Sequence, residues 1–293
     1  MRSFRVVLAL ALGLAGLAMA ADPADSAGEL KKKAEANWEA VGAGKAVLHE
    51  TKHFLLCAPE AMAKRLKDVG ELLEKHHDKA KEALKFEVKE EDKGEVLPGK
   101  VVVYLFDVSD PFKAFVRRIE GRRLEAGETA SFQAADDKLH VAVSPPRGKR
   151  GLPVEVQACE QTAALLLARR AGTRTPLPDW VVSGFGRATY YRVAPNDKAV
   201  KADRLLAANL SRKHGINDVW DGKVSADEAE TLQGSLMDFL AYGPGSRVFP
   251  KFVAGFEPSE NMERKTASQA FEAAGLMPDK IITSWQAWAR NAR

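Results

Sequence analysis

Strand-like patterning in this chain ends at Val143. Up to that point short β-branched and aromatic runs alternate with helical stretches, and beyond Pro153 apolar residues recur only at helical spacing. Such a chain cannot alternate strands and helices throughout. It must confine a small sheet to its first half and cover it with helices from both halves. The expected class is α+β: a small mixed β-sheet with helices in the N-terminal half, then an all-helical C-terminal half.

Within the first half, residues 28–41 are charged and Ala-rich and predict a short helix before the Gly42–Gly44 break. His53–Cys57 reads as the first strand of the fold. Pro59 then opens a long helix in which Met62, Leu66, Val69, Leu73, His76, Ala80 and Ala83 form one apolar stripe. Because His76 and His77 are adjacent, one is expected near the core and the other in solvent. Val101–Phe106 is a continuous apolar run, as in a strand buried on both faces. Asp110-Pro111 predicts a helix start. Ser131–Ala134 and Leu139–Val143, separated by Asp136-Asp137, predict a hairpin with one face in the core.

In the second half, Pro153 opens a helix that stops at Gly172, Pro178 opens another through Tyr191, and a third runs from Asp197 to His214. Ser225 with Glu228, and Thr266 with Gln269, are capping-box pairs, and a last helix carries Ile281, Ile282, Trp285 and Trp288. Trp180, Trp285 and Trp288 are expected as core anchors.

Residues 1–20 read as a signal peptide: Arg2 and Arg5, an apolar stretch from Val6 to Leu17, then Ala18-Met19-Ala20. That stretch is shorter than the roughly 18 residues a membrane span needs. The expected destination is periplasmic, cell-surface or extracellular, with no membrane span in the mature chain. Of 44 basic and 40 acidic residues, the leader holds two arginines and no acid, leaving a balance of +2. That gives no reason to expect nucleic acid as a partner, and the basic residues Arg117, Arg118, Arg122, Arg123, Arg147, Lys149 and Arg150 carry no interleaved aromatics. Residues 21–46 form an N-terminal helical or linker segment, and 47–293 the main domain, divided into 47–172 and 173–293. Cys57 and Cys159 enter a compartment that permits disulfides, either bridged or as two buried thiols.

The most specific phrases are Val156-Gln157-Ala158-Cys159-Glu160-Gln161-Thr162-Ala163 and Leu177-Pro178-Asp179-Trp180-Val181-Val182-Ser183-Gly184-Phe185-Gly186. Over roughly residues 50–293 the chain resembles the peptidase MA-like gluzincins, zinc peptidases in which a hairpin strand precedes a helix bearing H-E-x-x-H. A second helix there opens with Leu-Pro-x-Trp and carries a Glu-Gly pair. In that arrangement two histidines one turn apart and a later glutamate bind zinc, and the glutamate beside the first histidine activates water. Aligned by flanking residues, the resemblance puts Cys159 at the first histidine, Glu160 at the general base, Ala163 at the second histidine and Ser183 at the third ligand. A thiol and a hydroxyl do not make the three-ligand site of a catalytic zinc. The resemblance therefore implies a zincin-like fold without the reaction: no catalytic residues, no cofactor, and four vestigial positions.

Because the gluzincin strand before the motif helix pairs with extended substrate, a groove at Leu139, His140, Val141 and Trp180 is expected to hold an extended peptide or protein. Two alternatives stand beside this. His49-Glu50-Thr51-Lys52-His53 is a literal H-E-x-x-H, which as a helix would bind zinc through His49 and His53, with Glu50 as base and Glu71, Glu74, His76 or His77 as a further ligand. Alternatively, Cys57 and Cys159 carry a thiol or disulfide function. Gly184 and Gly186 inside a helix each cost about 1 kcal/mol against Ala, which close helix packing would explain.

Overall fold

The computed structural model describes residues 23–84, 97–135, 138–146, 152–172, 175, 177–220, 223–258 and 265–291. Residues 1–20, expected as a signal peptide, together with Asp136, Asp137, Arg147, Lys149 and Arg150, lie outside these residues. A five-stranded mixed sheet is built from β1 (Ala46–Glu50), β2 (Phe54–Pro59), β3 (Val101–Leu105), β4 (Ala130–Gln133) and β5 (His140–Val143), in the order β1-β2-β3-β5-β4. The two inner pairings, β2–β3 and β3–β5, are parallel, and the two outer ones are antiparallel.

Helices cover both faces, which is why β2 and β3 read as unbroken apolar runs. Phe54, Leu56, Val101, Val103, Leu105, Val141 and Val143 point into the larger core, with α2 (Leu66–Leu84) and α4 (Val154–Ala171) above them. Leu55, Cys57, Val102, Tyr104 and Ala142 point the other way, toward α1 (Pro23–Ala40) and α3 (Ser109–Arg118). Trp38 of α1 is buried and stacks on Phe106 at 4.9 Å, and Asn37 Nδ2 donates to the Tyr104 hydroxyl at 3.0 Å. The remaining helices are α5 (Asp179–Val193), α6 (Lys198–Leu210), α7 (Ile216–Trp220), α8 (Ala226–Met237), α9 (Phe249–Ala254), α10 (Ala267–Ala273) and α11 (Pro278–Asn291). Both capping boxes form, at Ser225–Glu228 and Thr266–Gln269, and Gly172 ends α4 with a φ of 88°. The α+β class with a helical second half is the observed one. No helix among the described residues is long and apolar enough to cross a membrane.

Several local expectations need correction. The strand at His53–Cys57 is the second, because Ala46–Glu50 pairs with it as β1. The predicted long helix begins with a tight 3-10 segment, Glu60–Arg65, before α2, although the whole apolar stripe from Met62 to Ala83 is buried as expected. Leu139–Val143 was expected to bury one face, yet β5 is buried on both. His140 lies edge-on against Phe115 at 5.1 Å and receives its polar partner from Glu120, 3.1 Å from Nε2. The Glu120 carboxylate also accepts from Ser131 Oγ and Arg122 Nε, each at 2.7 Å. Burial pushes Glu120 up, but the bonds from His140 and Ser131 and the Arg122 charge outweigh it, so its carboxyl lies below the ordinary value. An ionised, fully bonded carboxylate is what makes His140 tolerable inside a core.

Cys57 and Cys159 are free and buried, on opposite faces of the sheet. The bridge is ruled out by that placement, since a disulfide needs Cα atoms within about 7 Å and converging Cβ vectors. Burial, with Glu35 adding to it, raises the Cys57 thiol to about 12, and burial raises Cys159 well above the ordinary value. Such thiols are inert. Intact mass should be the same with and without reductant, and alkylation should be complete only in denaturant. Rapid labelling of either cysteine in the native protein would restore a thiol-based role.

Candidate functional site

A concentration of polar groups lies beside a concave surface where edge strand β4, α4 and α5 meet. α5 comes close to α4 because Gly186 has no side chain: a Cβ there would stand 2.6 Å from the Glu160 carbonyl oxygen. Gly184 does the same against α8, where a Cβ would stand 2.9 Å from the Gln233 carbonyl oxygen. The two helix glycines are thus explained by close packing, on two different partners.

This approach leaves a cleft of about 350 Å³ between the three elements, into which Gln157, Glu160 and Gln161 of α4 and Ser183 and Arg187 of α5 project. A second cavity of about 540 Å³ follows along the same elements, lined by Phe132, Ala168 and Val182 among others. Among the described residues β4 is the outermost strand, with only β5 beside it. Ser144 N donates to the Thr129 carbonyl at 2.8 Å, so odd-numbered β4 residues bond inward and Ala130 and Phe132 turn their backbone groups to the open side. Ala130 lines one cavity and Phe132 the other.

Most polar groups here are already committed. Gln157 Oε1 accepts from Thr129 Oγ1 at 2.9 Å while its Nε2 donates to the carbonyls of Leu152 and Ser144, at 2.9 and 3.2 Å. Arg187 pairs with Asp203 at 2.8 Å and Glu230 at 3.0 Å, and Asp203 also accepts from Thr231 and Tyr191. Ser183 Oγ donates to the Asp179 carbonyl one turn back, at 2.7 Å. Glu160 differs: its Oε1 is buried and has no hydrogen-bond partner among the described residues. Burial, reinforced by Glu230 and Asp203 and opposed by Arg187, raises its pKa to about 7.

The vestigial positions do not assemble as expected. Cys159 and Ala163 are wholly buried in the larger core and do not reach the cleft. The α4 residues one turn apart that face Ser183 are Gln157 and Gln161, with Glu160 beside them. Neutral amides and a serine hydroxyl are poor donors for a catalytic zinc, and Glu160 is the carboxylate that lies beside them. The expected groove residues are also elsewhere. Leu139 and Val141 are buried in the larger core and His140 lies under the opposite sheet face, because β5 is an inner strand flanked by β3 and β4. Trp180 packs on Trp220 at 5.5 Å and Phe252 at 6.2 Å, facing a different, shallow depression lined by Trp220 and Gln233.

The literal H-E-x-x-H is not helical. His49 and Glu50 end β1, and Thr51 to His53 make the turn into β2, so the residues alternate between sheet faces instead of sharing one side of a helix. Glu50 pairs with Lys31 at 2.6 Å and Lys100 at 3.3 Å, and the ring of His49 lies against Gly70 of α2. Among the described residues, His53 is the one of the three that meets other metal-type donors, Glu74 and His77 of α2, and one donor atom from each of these three lies within 4.8 Å of the others. Glu74 Oε2 is 2.6 Å from His53 Nδ1, and Glu74 Oε1 accepts from His53 N at 2.8 Å and Thr51 Oγ1 at 2.6 Å. Both helix histidines are buried, against the expectation that one would be solvated. His76 stacks on Tyr190 at 5.7 Å, and burial lowers its pKa to about 4. His77 stacks on His53 at 3.9 Å.

No family model matches this chain, and no curated protein matches it.

Proposed function

We propose that this chain is a non-hydrolytic binding module that receives an extended peptide segment along the open edge of β4. The observation that carries the reading is the outward backbone of Ala130 and Phe132, which has no strand partner among the described residues and borders two cavities over α4 and α5. An added strand would satisfy those groups while its alternate side chains enter the two cavities, the arrangement used in strand-addition recognition. The resemblance to the gluzincins supports the same place, since two of the four positions it marks, Glu160 and Ser183, line this cleft. The leader-like residues 1–20 support a role after export, outside the cytoplasm.

A library of extended peptides screened against the purified protein tests this. Bound peptide should slow amide hydrogen exchange at Ala130 and Phe132. Ala130→Pro, which removes one outward N–H at a position where an edge strand tolerates proline, should weaken binding by tenfold or more. Absence of any extended ligand, or binding indifferent to Ala130→Pro, rejects the reading.

A further inference from the structure

We propose that His53, Glu74 and His77 form a site for one divalent transition-metal cation of the zinc type, pinning the β1–β2 turn to α2. This does not rest on the peptide groove, which lies at the other edge of the sheet. Two imidazoles and a carboxylate are a donor set that zinc accepts, with a fourth position left for water.

Three observations support the assignment. First, His77 is 1% exposed, and its Nε2 has no hydrogen-bond partner among the described residues. A buried polar atom left so pays its full desolvation cost, which a bound cation would recover. Second, His77 Nδ1 lies 3.1 Å from the Asp78 carboxylate. A carboxylate accepting from Nδ1–H fixes the tautomer that leaves the Nε2 lone pair free, as in histidines that ligate metals. Third, Glu74 is oriented by His53 N and Thr51 Oγ1 through one oxygen, and its other oxygen faces His53 Nδ1. Neutral His53 can carry its proton on Nε2, turning Nδ1 into a donor to a cation.

His76 provides the contrast. Among the described residues its Nε2 is also buried and unpartnered, yet its ring lies against Tyr190 and no second donor there joins it in a metal-sized group. An orphan nitrogen alone is therefore not the criterion; convergence is. The present spread of up to 4.8 Å must shrink to about 3.5 Å around zinc–ligand bonds of about 2.0–2.1 Å. His53 and Glu74, with side chains 14% and 23% exposed, have the freedom to close that gap and give a cation access from solvent.

Cobalt(II) titration of the full chain, stripped with chelator, reads this directly. Stoichiometric cobalt should give visible ligand-field bands that one equivalent of zinc abolishes. Glu74→Gln, isosteric and partly exposed, should lower zinc affinity at least tenfold, and His53→Gln should do the same. His49→Ala should leave affinity unchanged, with circular dichroism confirming the fold of each variant. Lack of bands at stoichiometric cobalt, or wild-type affinity in Glu74→Gln, overturns the proposal. So does loss of binding in His49→Ala alone, which would move the site to the literal H-E-x-x-H.

Discussion

Glu160→Gln should stabilise the protein by about 2 kcal/mol at pH 8 and by much less at pH 5. The reason is the carboxyl buried beside the cleft, whose pKa is raised from 4.5 to about 7 by burial first, then by Glu230 and Asp203. Between those two values the folded chain holds a proton that the unfolded chain has released. Stability therefore falls as pH rises through this window, and the full penalty is present above pH 7. At about 1.4 kcal/mol per pH unit the penalty is on the order of 3 kcal/mol. Glutamine fills the same volume without ionising, but it leaves an amide atom where Oε1 has no partner, which returns about 1 kcal/mol of the gain. Denaturant unfolding of both proteins at pH 5 and pH 8 gives the comparison. Equal pH slopes would mean that Glu160 is ionised and solvated in the folded state, and that the cleft is wetter than its geometry implies.

The sequence disclosed the elements better than their arrangement. The α2 stripe, the apolar run of β3, the Gly172 stop and both capping boxes rest on local chemistry, and each appears in the fold. β1 escaped because Ala46–Glu50 is a half-buried edge strand with no clear alternation. Strand order escaped for a different reason. β4 and β5 have similar local patterns, and only the parallel pairing of β5 with β3 decides which of them faces solvent. The phase of α4 was hidden as well. Residues Val156–Cys159 and Thr162–Leu167 are buried around nearly the whole circumference, and such a helix does not reveal which side meets the cleft. That is why the sequence did not reveal that Gln157 and Gln161, rather than Cys159 and Ala163, turn toward the cleft. The pairing of His53 with His77 joins a strand turn to a helix, and no spacing rule within one element could have found it. α2 is held between β2 on one side and Tyr190 of α5 on another, so two adjacent histidines are both buried.

Gly186→Ala should destabilise the protein by about 2–3 kcal/mol and widen the cleft, although alanine is the better helix former. Propensity alone favours the change by about 1 kcal/mol. The added methyl, however, would stand 2.6 Å from the Glu160 carbonyl oxygen and 3.1 Å from its Cα. Those atoms belong to the backbone of α4, which is anchored in the sheet core through Ala158, Cys159 and Leu165, so no rotamer change relieves the contact. The two helices must move apart, and overpacking of this kind costs 1–3 kcal/mol and occasionally more. Gly28 provides the matched comparison. It lies within α1, exposed and with nothing within 4 Å of its would-be Cβ, so Gly28→Ala should gain up to about 1 kcal/mol. Chemical denaturation of the two variants should thus give effects of opposite sign. The separation in Gly186→Ala also carries Ser183 and Arg187 away from Glu160, so peptide affinity at β4 should fall together with stability, while zinc affinity at His53, Glu74 and His77 should not change. A neutral or stabilising Gly186→Ala would show that α4 and α5 are not in rigid contact, and the cleft between them would then have no fixed floor on which to align a peptide.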